Sequence, residues 1–194
     1  LLEGELAARS VALDLLPGAV MPVERIAGIP ADVLARCTAG GGGRWLVVTL
    51  PDAGWPLGLP DLLQGLEMGG IGIVVAHPER SESMQGTPDR LRDLLGRGAL
   101  VQLGAGSLSG QYGARVERAA FSLLRNGMVT VVASDEPSPT GHALDFQEVL
   151  TALEGVTRRP REEVEWMVDA GPRRIAAGEP VRPPRLVPLP RGVG

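Results

Sequence analysis

The chain has 194 residues, enough for one sizeable core and short for two, and its formal net charge of −4 comes with scattered basic residues. One domain is expected, with no basic stripe on which a nucleic-acid backbone could lie. All 19 basic residues are Arg, Asn occurs once, and Gly and Pro number 27 and 17, a bias that weakens any reading of Arg as a phosphate mark. The lone Cys37 excludes an internal disulfide and a Cys-rich metal knuckle, and fits a reducing compartment. No apolar run approaches the ~20 residues of a membrane helix, so a cytoplasmic protein without membrane insertion is expected.

The chain starts at Leu1 with no Met and no basic-then-apolar leader, and it reads as N-terminally incomplete. Leu1 to Ser10 has the spacing of an amphipathic helix, and Val11 to Leu16 (VALDLL) reads as a strand stopped by Pro17 and Gly18. Between Pro22 and Cys37 the spacing predicts one or two short helices, broken at Gly28 and Pro30. Ala39 to Gly43 (AGGGG) reads as a flexible turn and lacks the Lys and Ser or Thr of a phosphate loop. Trp45 to Leu50 (WLVVTL) is a buried strand ending at Pro51 and Asp52. A helix from Pro60 to Met68 closes on Gly69 and Gly70.

Ile71 to Ala76 (IGIVVA) has no polar alternation, the habit of a strand covered on both faces in a parallel sheet, and it empties into His77, Pro78, Glu79 and Arg80. Thr87 as N-cap and Pro88 at the first position start a helix that runs toward Gly98. Ala99 to Leu103 is a strand spilling into Gly104 to Ser107, Ser109 to Asn126 a long helix, and Met128 to Ala133 the last strand, ending at Ser134 and Asp135. Helices follow at Leu144 to Glu154 and Pro160 to Ala170, with a short turn at Pro172 to Ala177. One strand and one helix alternate five times at roughly 25 to 30 residues per unit, which argues a parallel α/β sheet with right-handed crossovers, either open or an incomplete barrel. The domain is expected over 1–178. Glu179 to Gly194 is Pro-rich and reads as an extended tail; its PxxPxR spacing at Pro180, Pro183 and Arg185 is read as part of a surface strap.

Parallel strands open their carboxyl ends onto one mouth, where α/β chemistry sits. The polar residues falling there are Asp52, His77, Glu79, Arg80, Ser107, Ser134, Asp135 and Glu136, with His142 on the following loop. His77 and Asp135 together suit one divalent cation such as zinc, manganese or iron. Equally, His77 caps its strand and Asp135 pairs with an Arg or starts a turn. Arg80 can fork onto an anion, and Gly104 to Ser107 offers N–H groups and a hydroxyl to a phosphate. No Ser lies in a G-x-S-x-G elbow.

The blocks AHPER (Ala76 to Arg80), ALVQLGAGSLSGQYG (Ala99 to Gly113), VVASDEP (Val131 to Pro137) and GPRRIAAGEPV (Gly171 to Val181), with LLPGAV (Leu15 to Val20) before them, resemble the bacterial manganese-dependent protein-tyrosine phosphatases. These belong to the polymerase-and-histidinol-phosphatase (PHP) superfamily and are encoded with capsule and exopolysaccharide assembly genes. The resemblance implies an incomplete, distorted PHP-type β/α barrel whose strand ends hold a cluster of metal ions. It implies His77 and Asp135 as metal ligands and Arg80 as the catalytic, phosphate-binding residue, with Ser107 also on the phosphate.

The family's first segment, with its HxH ligands, has no counterpart in the sequence. The Glu expected after Leu-Pro-Gly is Val20, the Glu near the end of the next strand is Thr49, the His of a D-x-H pair is Pro137, and an expected phosphate-binding Arg aligns with His142. Val20 and Pro137 offer no side-chain ligand, and a multi-metal site needs carboxylates and imidazoles to offset the charge of its ions. The expectation is a degenerate homologue without a complete metal cluster, acting as a binding or scaffold module. The alternative is an active phosphoesterase with a reduced site, where Glu136, Asp52 or His142 supply the missing contacts. Manganese or another divalent metal is the implied cofactor in the second case and none in the first. The implied partner is a phosphotyrosine protein such as a capsule-assembly tyrosine kinase. A homo-oligomer is expected if missing first strands leave a sheet edge to be covered.

Overall fold

The computed structural model describes residues 2–52, 54–55, 58–86, 88–134 and 146–182. Five strands, β1 (Val20–Pro22), β2 (Trp45–Thr49), β3 (Gly72–Ala76), β4 (Leu100–Gly104) and β5 (Val131–Ala133), form one sheet in sequential order. Every pair is parallel. The helices are α1 (Leu2–Ala8), α2 (Ala31–Cys37), α3 (Leu59–Met68), α4 (Glu82–Gly86), α5 (Pro88–Gly96), α6 (Ala114–Arg125), α7 (Phe146–Thr157), α8 (Arg161–Val168) and α9 (Ala170–Ala176).

The apolar runs of the central strands are buried on both faces, as parallel strands between helices must be. Leu46, Val48, Ile73, Val75, Val101, Leu103 and Val132 face the larger core with Leu63 and Leu66 of α3, Leu91 and Leu94 of α5, and Leu123 and Leu124 of α6. The alternate residues Trp45, Val74, Leu100 and Val131 face a smaller cluster with Ile175 of α9. Sequential order keeps the crossover helices on one face, so the sheet is the arc of a barrel and α9 closes its concave side.

Several expectations are corrected. Val11 to Leu16 is not a strand: Leu13 and Leu16 are 61% and 64% exposed, and pairing with β2 starts only at Val20 opposite Val47. An apolar run becomes a strand where a neighbour covers it, and here only the chain beyond Gly18 lies beside β2. Val20 therefore opens β1 rather than ending a strand. The helix expected from Ser109 begins at Ala114, because Gly110 and Gly113 hold φ of +74° and +87°, conformations that interrupt a right-handed helix. The turn at 172–177 is the last part of α9, and α4 has no counterpart in the sequence reading. Thr87, expected as a cap, lies outside the described residues.

The glycine run is a packed contact rather than a flexible turn. Gly40 sits at φ +68°, and a Cβ there would fall 1.8 Å from the carbonyl oxygen of Ala176 at the end of α9. Thr38 Oγ1 accepts the Gly43 N–H at 2.8 Å and donates to the Ala35 carbonyl at 2.7 Å, which ties the run back to α2. Just beyond it, the Trp45 indole N–H donates to the Glu179 carbonyl at 2.7 Å, and Val181 packs on the same cluster. The start of the Pro-rich tail is thus held against the domain; residues 183–194 lie outside the described residues. Gly40→Ala should lower unfolding free energy by about 2 kcal/mol or more through combined backbone strain and overpacking, read as a lower denaturant midpoint at unchanged m-value.

Candidate functional site

The sequence that ends β3 shapes the site first. His77 continues the ladder by donating its N–H to the Gln102 carbonyl at 2.9 Å, then turns into the left-handed region at φ 50°, ψ 44°. A non-glycine residue there is uncommon, though His tolerates it better than most. Such strain persists only where surrounding contacts over-determine it. Pro78–Arg80 then forms a 3₁₀ turn, and Ala105–Ser107 forms a second beyond β4.

Glu79 joins the two turns. Its side chain is fully buried, and Oε1 accepts the Gly104 N–H at 3.2 Å and the Ser107 hydroxyl at 2.7 Å. The same oxygen lies 3.9 Å from His77 Nδ1 and 3.9 Å from Arg80 Nε, so one carboxylate faces both residues expected to carry chemistry. Oε2 is buried with no hydrogen-bond partner among the described residues. The backbone of Glu79 is held as well, its carbonyl accepting from Gln85 Nε2 at 2.7 Å. Ser81 Oγ donates to the Pro51 carbonyl at 2.7 Å and the Ser83 N–H to the Asp52 carbonyl at 3.3 Å. The exits of β2, β3 and β4 are thereby one unit.

Arg80 is the exposed edge of that unit. Its guanidinium carbon lies 3.9 Å from the centroid of the Tyr112 ring, a stacking contact that orients the planar fork, while the side chain remains 29% exposed. Gly104 makes room for it: a Cβ would stand 2.6 Å from Arg80 Nη2 and 3.2 Å from His77 Nδ1. His77 and Arg80 are therefore brought together. Ser107, expected on the phosphate, is instead closed to solvent, with its hydroxyl donated inward to Glu79.

Thr49 ends β2 opposite Ala76, and Val20 is 60% exposed at the head of β1. Ser134 follows β5 and is exposed. Asp135, Glu136, Pro137 and His142 lie outside the described residues. Among the described residues no group of three His, Cys, Asp or Glu side chains is placed to hold a metal ion. Neither Val20 nor Thr49 carries an imidazole or a carboxylate. The described donors on their own do not fit a multi-metal cluster.

Glu79 was one polar residue among eight in the sequence, and its bracing role was not legible there, since its partners lie 25 and 28 residues away. Removing the carboxylate leaves the buried Gly104 N–H and Ser107 hydroxyl short of an acceptor. Glu79→Ala should therefore cost about 3 kcal/mol and Ser107→Ala about 1 kcal/mol in denaturant unfolding, an order that would be reversed if Ser107 were the main brace.

The chain matches the family model for capsular polysaccharide synthesis, CpsB/CapC, over residues 58–163. It is 29% identical over 111 residues to the tyrosine-protein phosphatase YwqE of Bacillus subtilis (strain 168), a match covering 57% of this chain and 44% of that protein. It is 30% identical over 106 residues to CapC of Staphylococcus aureus, covering 55% of this chain and 42% of that protein. The matches thus span less than half the length of these curated relatives. Among solved structures, one of the crystal structures of YwqE from Bacillus subtilis and CpsB from Streptococcus pneumoniae, metal-dependent tyrosine phosphatases, superposes with a TM-score of 0.81 at 23% identity. That superposition covers 98% of this chain and 75% of the other and establishes the fold. With more than half of its residues inside the family model, the chain belongs to the CpsB/CapC family of capsular polysaccharide synthesis.

Proposed function

We propose that the His77 to Arg80 corner is a phosphate-recognition site for a phosphotyrosine segment of a partner protein, and that the chain acts as a binding or scaffold module of its family. The observation that carries this reading is the contrast between the two halves of the site. The corner around Glu79 is braced by two hydrogen bonds on Oε1, whereas Val20 and Thr49 carry neither an imidazole nor a carboxylate. Arg80, held flat by Tyr112, offers the fork geometry that matches a phosphate bidentately. The Tyr112 ring beside it provides an aromatic surface against which a phosphotyrosine ring can pack. A tyrosine kinase of capsule assembly is the partner class that the family suggests.

Removing one charge-assisted contact is worth about tenfold or more in affinity. Arg80→Gln should accordingly weaken binding of a phosphotyrosine peptide by at least that factor, measured by fluorescence anisotropy at a temperature where circular dichroism shows the variant folded. Gly104→Ala should weaken it similarly by pushing the guanidinium aside. In parallel, a phosphotyrosine peptide incubated with manganese should be returned unhydrolysed. Manganese-dependent turnover that disappears in His77→Ala would overturn the binding-module reading in favour of an active phosphoesterase with a reduced site, in which His77 and Asp135 hold the ion.

A further inference from the structure

At the opposite end of the sheet, where β2, β3 and β4 begin, lies a cavity of about 420 Å³ lined by Arg44, Trp45, Gln64, Glu67, Gly72 and Arg97 among others. The length of β3 separates it from His77 by about 15 Å. Its volume falls within the usual range of small-molecule sites. The backbone around it has little to offer a ligand: the N–H groups of Gly70, Ile71, Gly72 and Gly98 donate to the carbonyls of Glu67, Leu66, Arg44 and Leu95. Recognition must come from side chains.

Those side chains are unusually uncommitted. Arg44 sits immediately before β2 with its backbone anchored by the Gly72 N–H at 2.7 Å, and its guanidinium lies 5.6 Å from the Trp45 ring centroid. Arg44 Nε is buried with no hydrogen-bond partner among the described residues, a state that costs free energy until an acceptor arrives. Arg97 projects from the turn between α5 and β4. No ion pair ties Arg44, Arg97 or Glu67 to another described residue. The wall therefore carries two cations and one anion, all with bonding capacity to spare. Trp45 lies flat over Gly72, where a Cβ would be 2.5 Å from the ring, and supplies an apolar side.

We propose that this cavity binds a small phosphorylated ligand bearing hydroxyls, of sugar-phosphate size. The phosphate sits on Arg44 and Arg97, where two guanidinium forks satisfy its oxygens. Hydroxyls donate to Glu67 and exchange hydrogen bonds with Gln64, and the C–H face of the ring lies toward Trp45. The site is separate from the His77 corner and does not depend on the reading given to it.

Isothermal titration of the full chain with glucose 6-phosphate, inorganic phosphate and glucose tests this. Glucose 6-phosphate should bind the wild type and Arg80→Gln equally, inorganic phosphate more weakly, and glucose not measurably. Arg97→Gln, at an exposed position that folding does not need, should weaken glucose 6-phosphate by about tenfold, and Arg44→Gln by as much or more. Absence of heat with glucose 6-phosphate, affinity unmoved by Arg97→Gln, or affinity lost in Arg80→Gln would overturn the proposal. Inorganic phosphate binding as tightly as the sugar phosphate would overturn the role given to Glu67 and Gln64.

Discussion

The buried carboxylate of Glu79 is the interaction on which the mouth of this sheet depends. A charged group closed to solvent is tolerated only with close partners, and here it has an N–H, a hydroxyl and two basic side chains around one oxygen. The partners come from two turns, His77 and Arg80 from the one after β3 and Gly104 and Ser107 from the one after β4, so the ionic requirement of one residue becomes a geometric constraint on two strand exits. The left-handed backbone at His77 is intelligible in that light: the strain is held by the ladder bond to Gln102 on one side and by the buried carboxylate on the other.

The concave face is governed by a different kind of contact. Where a complete barrel would close on further strands, this arc is filled by Ile175 of α9 against Trp45, Val74, Leu100 and Val131. The helix can come that close because Gly40 leaves the Ala176 carbonyl unobstructed, and the Trp45 indole then clasps the chain as it leaves α9. Packing at the amino ends of the strands and ionic bracing at their carboxyl ends are thus carried by separate residues.

The chain belongs to the CpsB/CapC family, and the turn geometry around AHPER is closely specified by the contacts that Glu79 makes with Gly104 and Ser107. Shape and ligand set are separable, because shape rests on buried contacts that stability requires whether or not any ion is bound.

Strand identity was legible wherever burial on both faces left an unbroken apolar run, as in β2, β3 and β4, and the sequential alternation of strand and helix was enough to imply a parallel arc. His77 and Arg80 were legible as site residues because they follow such a run directly. The run at Val11 to Leu16 misled for the complementary reason: an apolar pattern states what would be favourable to bury, and only the assembled sheet decides whether a neighbour is there to bury it. Likewise Ala39 to Gly43 reads as slack in one dimension and is a docking surface in three. Ser107 reads as a phosphate ligand by position and turns inward once Glu79 is in place. Local sequence determined the strands and the residues at their ends. The tertiary structure alone decided which of those residues face solvent and which brace the rest, because that depends on contacts between segments 25 residues and more apart.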